Sequence, residues 1–250
     1  MKIQGQTVII TGGGSGMGAE TARAVAAAGA KVVLWDMNLP AAQTVADEIG
    51  GLAFECDVTS EESVLAALKQ SGSPRVLINC AGILIGKRIV GREGPADLAH
   101  FMKVINVNLT GTYNTMRLVA AAMCALEPVN DDGERGVIIN TASIAAFEGQ
   151  IGQVAYSASK GGIVAMTLPA ARDLGKQGVR VMAIAPGAVQ TPMIGTISEE
   201  LQASIAANIP FPSRMAKPDE FSKLALHIVD NAYLNGTVIR LDGAARLAAK

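Results

Sequence analysis

Tyr156 and Lys160 stand four residues apart in the stretch AYSASKGG, residues 155–162. Four residues make about one helical turn, so on a helix both side chains leave the same face. A free phenol has a pKa near 10 and is a poor base at neutral pH, whereas an adjacent ammonium favours phenolate. One pKa unit corresponds to about 1.4 kcal/mol, so reaching ~7 asks for roughly 4 kcal/mol from the surroundings. Such a phenol can take the proton of a secondary alcohol while hydride leaves the same carbon. An isolated Y-x-x-x-K is ordinarily a solvated surface pair, and the rest of the chain decides between the two.

Two further residues complete the candidate set. Ser143 closes the apolar run GVIINTAS, residues 136–143, where its hydroxyl could bond a developing alkoxide or carbonyl oxygen. Asn108 opens a long helical pattern and is expected to hold a water linking Lys160 to solvent. Lys160 is also expected to hold ribose hydroxyls. Taken singly, Ser143 reads as a strand-end cap, Asn108 as a helix cap and Lys160 as a solvated charge.

The elements that must position these groups alternate along the chain. Strands are expected at 7–11, 31–36, 52–58, 76–82, 136–143, 180–186 and 236–243, with Ala-rich helices at 16–29, 39–50 and 60–72 between the first four. Ser60 is a natural N-cap for the third. Continuous apolar strands separated by helices predict an α/β fold: a single-domain, Rossmann-type, doubly wound parallel sheet of about seven strands with helices on both faces. Ligands of such sheets bind at the carboxyl ends of the strands.

The loop TGGGSGMG, residues 11–18, joins the first strand to the first helix. Its spacing is T-G-x-x-x-G-x-G rather than G-x-G-x-x-G, and its position carries the argument. Free N–H groups and the helix dipole at that terminus favour a pyrophosphate. Gly12 and Gly16 would permit the turn and close backbone approach, and Gly18 close helix packing. Asp36 ends the second strand 18 residues after Gly18, a spacing suited to ribose hydroxyls. Without Lys or Arg at Met17, Met37 or Asn38, a 2′-phosphate would face a carboxylate alone, so NAD is expected over NADP. Asp57, followed by Val58, either binds adenine or caps the following helix. Small residues in Asn79-Cys80-Ala81-Gly82 either leave room for a ribose or simply pack.

Composition narrows the function classes. The formal net charge is −1 and no basic run is present, which argues against nucleic acid or an anionic membrane as partner. The apolar stretch 118–126 is too short for a bilayer span. MKIQGQTVII enters a strand directly, so no leader is expected and the cytoplasm is the expected location. Three cysteines without C-x-x-C and two histidines argue against a disulfide framework and a metal site.

In their order along the chain, Thr11-Gly12-x-x-x-Gly16-x-Gly18, Asn79-x-Ala81-Gly82, Asn108, Ser143, Tyr156-x-x-x-Lys160 and Pro186-Gly187 resemble the short-chain dehydrogenase/reductase family. Cys80 departs from the family's N-N-A-G. Within the family, residues 135–174, IPFPSR (209–214) and LNGTVIRLDGAAR (234–246) resemble the type 2 3-hydroxyacyl-CoA dehydrogenase subgroup, which carries N-C-A-G. The resemblance implies oxidation of an (S)-3-hydroxyacyl-CoA with NAD, a homotetramer, and Gln150 contacting substrate beside Ser143 and Tyr156. It carries cofactor contacts onto Ser15, Met17, Asp36, Asp57, Val58, Cys80, Val189 and Thr191, beside Gly12, Gly16, Gly18, Ala81, Gly82, Tyr156, Lys160, Pro186 and Gly187. One domain spanning 1–250 is expected, with a substrate flap around 191–215. Segment 83–100 departs most from the subgroup; Lys87, Arg88 and Arg92 there either meet CoA phosphates or form a solvated loop. Alternatives are a hydroxysteroid or other secondary alcohol, a carrier-protein 3-oxoacyl thioester, and a non-catalytic dinucleotide-sensing scaffold.

Overall fold

The computed structural model describes residues 1–192 and 198–249. Seven strands form one parallel sheet: β1 (Thr7–Thr11), β2 (Lys31–Asp36), β3 (Leu52–Glu55), β4 (Pro74–Asn79), β7 (Gly136–Thr141), β8 (Val179–Pro186) and β9 (Val238–Leu241). Their order is β3-β2-β1-β4-β7-β8-β9. The direction of winding reverses between β1 and β4, leaving a crevice above their carboxyl ends. A small antiparallel hairpin, β5 (Val90–Gly91) with β6 (Gly94–Pro95), lies outside this sheet.

Alternation along the strands feeds two cores. Val8, Ile10, Leu34, Ile78 and Ile139 pack with Ala19, Ala22 and Phe221 on one face. Ile9, Val33, Trp35, Leu77 and Ile138 pack with Val64, Val119 and Met123 on the other. Helices α1 (Gly16–Ala27) and α2 (Leu39–Ile49) follow β1 and β2. Asn38 caps α2 through its carboxamide oxygen, which accepts from Ala41 N at 3.2 Å. Helix α3 (Glu61–Gln70) has the expected cap: Ser60 Oγ accepts from Ser63 N at 3.2 Å.

Several boundaries differ from the sequence expectation. Strands expected to run to 58, 82, 143 and 243 end at Glu55, Asn79, Thr141 and Leu241. Cys56, Cys80 and Ala142 still donate backbone bonds to the neighbouring strands, and the residues after them build the loops around the crevice. The helix expected near Asn108 begins earlier. Asp97 caps α4 (Leu98–Ile105) by accepting from Ala99 N at 2.9 Å. A π-helical turn, Asn106–Thr110, joins it to α5 (Gly111–Cys124). Helix α6 (Val154–Gly175) carries the Tyr-Lys pair, and α7 (Glu199–Ala207) and α8 (Pro218–Asp230) complete the fold. Part of the expected flap, 193–197, lies outside the described residues. Among the described residues no helix is long and apolar enough to cross a membrane.

Candidate active site

The glycine loop brings the ends of β1 and β4 into backbone contact. Gly12 has φ +67°, and a Cβ there would sit 2.8 Å from Ala81 N. A Cβ on Gly18 would sit 2.1 Å from Gly12 O, so α1 starts hard against the turn. Ser15 is the N-cap of α1 but its side chain makes no capping bond, which leaves the first-turn N–H groups to an anion. Thr191 lies over Gly16, 3.4 Å from where a Cβ would stand. Met17 packs against the core.

Asp36 holds the loop as well as facing the crevice. Its Oδ2 accepts from Gly14 N at 2.9 Å, and its Oδ1 from Asn38 N at 2.9 Å. Asp57 performs the local duty left open by its sequence: its Oδ1 accepts from Thr59 N at 2.8 Å and Thr59 Oγ1 at 2.7 Å. The cap of α3 is Ser60 rather than Asp57. Val58 is buried against Gly111, and its carbonyl accepts from Asn114 Nδ2 at 2.9 Å. Thr11 Oγ1 accepts from Ala81 N at 3.1 Å.

The four candidate catalytic residues come from three chain segments and converge above β4 and β7. Ser143 follows β7 and is buried; its Oγ accepts from Ala145 N at 3.1 Å, starting a 3₁₀ turn at Ile144–Ala146. Tyr156 and Lys160 share one face of α6, with Nζ 5.7 Å from the phenol ring centroid. Lys160 is only 4% exposed, and its ammonium donates to the Thr141 carbonyl at 2.7 Å. Gly82 stands beside it: a Cβ there would be 3.7 Å from Lys160 Nζ and 3.2 Å from Asn108 Oδ1.

The buried side chain of Asn108 joins two segments of the chain. Its Oδ1 accepts from Ile83 N at 2.8 Å, and its Nδ2 donates to Ile83 O at 2.9 Å and Ser159 Oγ at 3.2 Å. The carboxamide is a clamp between the loop after β4 and α6, fully engaged with protein.

Burial raises the Tyr156 pKa above its ordinary value, and the neighbouring Ser143 hydroxyl works in the opposite direction. Burial pushes the Lys160 ammonium down to about 8. The physical cause is shared: burial disfavours charge on both partners. The chain's own groups hold the phenol protonated and make the ammonium easier to discharge. Cys80, the subgroup's departure from the family, faces Lys160, and burial pushes its thiol up to about 11.

Other expected contacts divide. Gly187 N donates to Leu241 O at 2.9 Å, fixing the turn after Pro186 to the end of β9. Val189 is buried and bridges to Ala216. The Gln150 carboxamide is already occupied: Nε2 donates to Ala248 O at 3.2 Å, and Oε1 accepts from Gln153 Nε2 at 3.4 Å. Lys87, Arg88 and Arg92 are exposed.

Sequence reading missed the polar web beneath the site. Asn79 Oδ1 accepts from Thr115 Oγ1 at 2.9 Å and Thr11 Oγ1 at 3.3 Å, while Asn79 Nδ2 donates to Asn140 Oδ1 at 2.9 Å. Buried polar groups are costly unless paired, so Asn140 and Thr115 inside apolar runs were a usable signal. Thr141 serves Lys160 through its backbone carbonyl, which carries no signature in residue type.

Comparison with known proteins matches this architecture. The short chain dehydrogenase family model matches residues 6–202. A Bos taurus protein named 3-hydroxyacyl-CoA dehydrogenase type-2 is 49% identical over 98% of this chain and 97% of its own. The crystal structure of 3-hydroxyacyl-CoA dehydrogenase type-2 from Mycobacterium avium superposes with a TM-score of 0.94 at 46% identity, covering 98% of both chains. A 7α-hydroxysteroid dehydrogenase complexed with NADH and 7-oxo glycochenodeoxycholic acid gives a TM-score of 0.88 at 30% identity, covering 100% of this chain and 97% of its own. From the glycine loop to the Tyr-Lys pair and beyond, this chain belongs to the short-chain dehydrogenase family.

Proposed function

We propose that the chain is an NAD-dependent dehydrogenase that converts an (S)-3-hydroxyacyl-CoA reversibly to the 3-oxoacyl-CoA. The observation that carries this reading is near-full-length likeness to proteins of that name, combined with the convergence of Ser143, Tyr156 and Lys160 at the crevice. A nicotinamide dinucleotide suits the residues present: Gly12 and Gly18 leave a cradle that a Cβ would fill, and the start of α1 is uncapped by side chain. Asp36 at the end of β2 favours a free 2′-hydroxyl, hence NAD.

A bound nicotinamide would supply the hydride acceptor for the alcohol carbon. The chain handles the proton. In oxidation, Tyr156 Oη takes the proton of the C3 hydroxyl as the C–H bond breaks, and Ser143 Oγ bonds the same oxygen as it becomes a carbonyl. Lys160, anchored on Thr141 O, holds its ammonium below the phenol and offers donors to a ribose. In reduction the protonated phenol returns its proton to the oxygen.

The described part of the flap around 191–215 would cover the acyl chain, and Lys87, Arg88 and Arg92, all exposed, either face the CoA phosphates or form a solvated loop. A homotetramer belongs to the same proposal. Exposed Leu98, Tyr113 and Leu168 on α4, α5 and α6 support burial against other copies, and light scattering tests it against the 25.7 kDa chain.

The deciding experiment offers 3-hydroxybutyryl-CoA, a 7α-hydroxysteroid and a 3-hydroxyacyl carrier protein, each with NAD and with NADP. Highest kcat/KM is expected for the CoA thioester with NAD. Steroid turnover exceeding it would favour the hydroxysteroid reading that the 30%-identical structure suggests. No turnover of any alcohol would end the enzymatic reading.

A further inference from the structure

The loop that joins Ser143 to Tyr156 is held from outside by residues 240–249. This segment begins on the dinucleotide side: Leu241 O accepts from Gly187 N at 2.9 Å, in the turn after β8. It ends on the substrate side: Ala248 O accepts from Gln150 Nε2 at 3.2 Å, and Ala249 O from Ile151 N at 3.0 Å. At its first residue, Arg240 reaches Glu148 with two parallel hydrogen bonds of 2.7 and 2.9 Å. Its guanidinium also bonds Asp242 at 2.7 Å and stacks over the Phe147 ring at 5.1 Å. Only about a quarter of either partner's side chain is exposed, so the pair is more than a solvated surface contact. On its other flank the loop is tied to the segment after β4, through Lys87 N donating to Gly152 O at 2.8 Å.

We propose that residues 240–249 are a strap that couples the dinucleotide-side turn to the substrate-side loop and so sets acyl-substrate affinity. Glu148, Arg240 and the carbonyls of Ala248 and Ala249 are positioning groups: they fix loop 147–153 without touching the reacting atoms. This inference deepens the dehydrogenase reading and rests on it for its kinetic consequence. The strap explains why Gln150 is turned toward residue 248. Its carboxamide fastens the loop between Ser143 and Tyr156 to the chain's last residues. A loop ordered before substrate arrives binds with less entropy lost. Releasing it would therefore raise KM while leaving the phenol, the ammonium and the dinucleotide cradle as they are.

The test uses two variants of the full protein: a chain ending at Arg246, and Glu148→Gln at full length. Three quantities are compared with the parent: amide exchange at Ile151, dinucleotide Kd, and kcat and KM with 3-hydroxybutyryl-CoA across pH. In the shortened chain, exchange at Ile151 is expected to rise about tenfold or more, and KM to rise about five- to tenfold. In both variants kcat, its pH profile and the dinucleotide Kd should stay within about twofold. Glu148→Gln should give a smaller rise in KM. Unchanged exchange at Ile151, or raised exchange with unchanged KM, would overturn the strap. So would a parallel loss of kcat, Kd and thermal stability in both variants, which would make the segment a general part of the fold. Absence of turnover in the parent would end the dehydrogenase reading instead, and the exchange result would still judge the contact.

Discussion

At the scale of single residues, burial sets the charge state of the Tyr-Lys pair. Burial raises Tyr156 and lowers Lys160, so the resting phenol is an acid. Oxidation needs the phenolate and reduction needs the phenol. Rates of alcohol oxidation should therefore climb from neutral toward alkaline pH while carbonyl reduction falls, and Tyr156→Phe should lower both by about 10²–10⁴-fold. Matching pH profiles in the two directions would sink this assignment. Lys160 gives a separate readout in stability. Its folded pKa of about 8 lies below the ordinary 10.5. The folded state therefore binds fewer protons than the unfolded one between those values, and stability rises with pH there. The cost of burying the charged amine is complete below about 8 and is relieved toward 10.5. Lys160→Met removes this titration, so urea unfolding should show the parent gaining on the variant from pH ~7.5 to ~10. A pH-independent gap would mean the amine is not buried in solution. Asp36→Ala should cut the preference for NAD over NADP by about 100-fold, because a carboxylate facing a 2′-phosphate costs several kcal/mol; steady-state kinetics with both dinucleotides measures it.

At the scale of elements, the glycine loop shows packing overruling propensity. Alanine is favoured over glycine inside a helix by about 1 kcal/mol, yet a Cβ at Gly18 would stand 2.1 Å from Gly12 O. Gly18→Ala should lower stability and weaken dinucleotide binding by about tenfold or more, read by calorimetric titration; tighter binding would contradict the contact. This loop was legible in the sequence because it lies between an apolar strand and an Ala-rich helix, and the two periodicities fix its place. Ser60 was legible as a cap for the same reason. Hairpin β5–β6 and the early start of α4 were not: strands of two residues carry no alternation, and Asp97 caps a helix whose apolar stripe is only two turns long. The partner of Lys160 escaped because any residue type can present a carbonyl at position 141. The bond from Gln150 to the carbonyl of residue 248 escaped as well, because the two meet only in three dimensions, 98 positions along the chain.

At the scale of the whole molecule, the sheet order joins distant parts of the chain. Strand β1 has β2 on one side and β4 on the other, and the second neighbour arrives only after more than sixty intervening residues. Gly12 meets Ala81 across that same junction. The nucleotide cradle is thus a product of chain closure rather than of its own dozen residues. A polypeptide that stops short of Pro74 would leave the main-chain donors and acceptors along one side of Thr7–Thr11 without a neighbour, an open template for other chains. Such a truncated product should precipitate or self-associate and should not retain dinucleotide in equilibrium dialysis. During synthesis, the same junction means that an emerging chain depends on protection at its N-terminal third until its fourth sheet strand has left the ribosome.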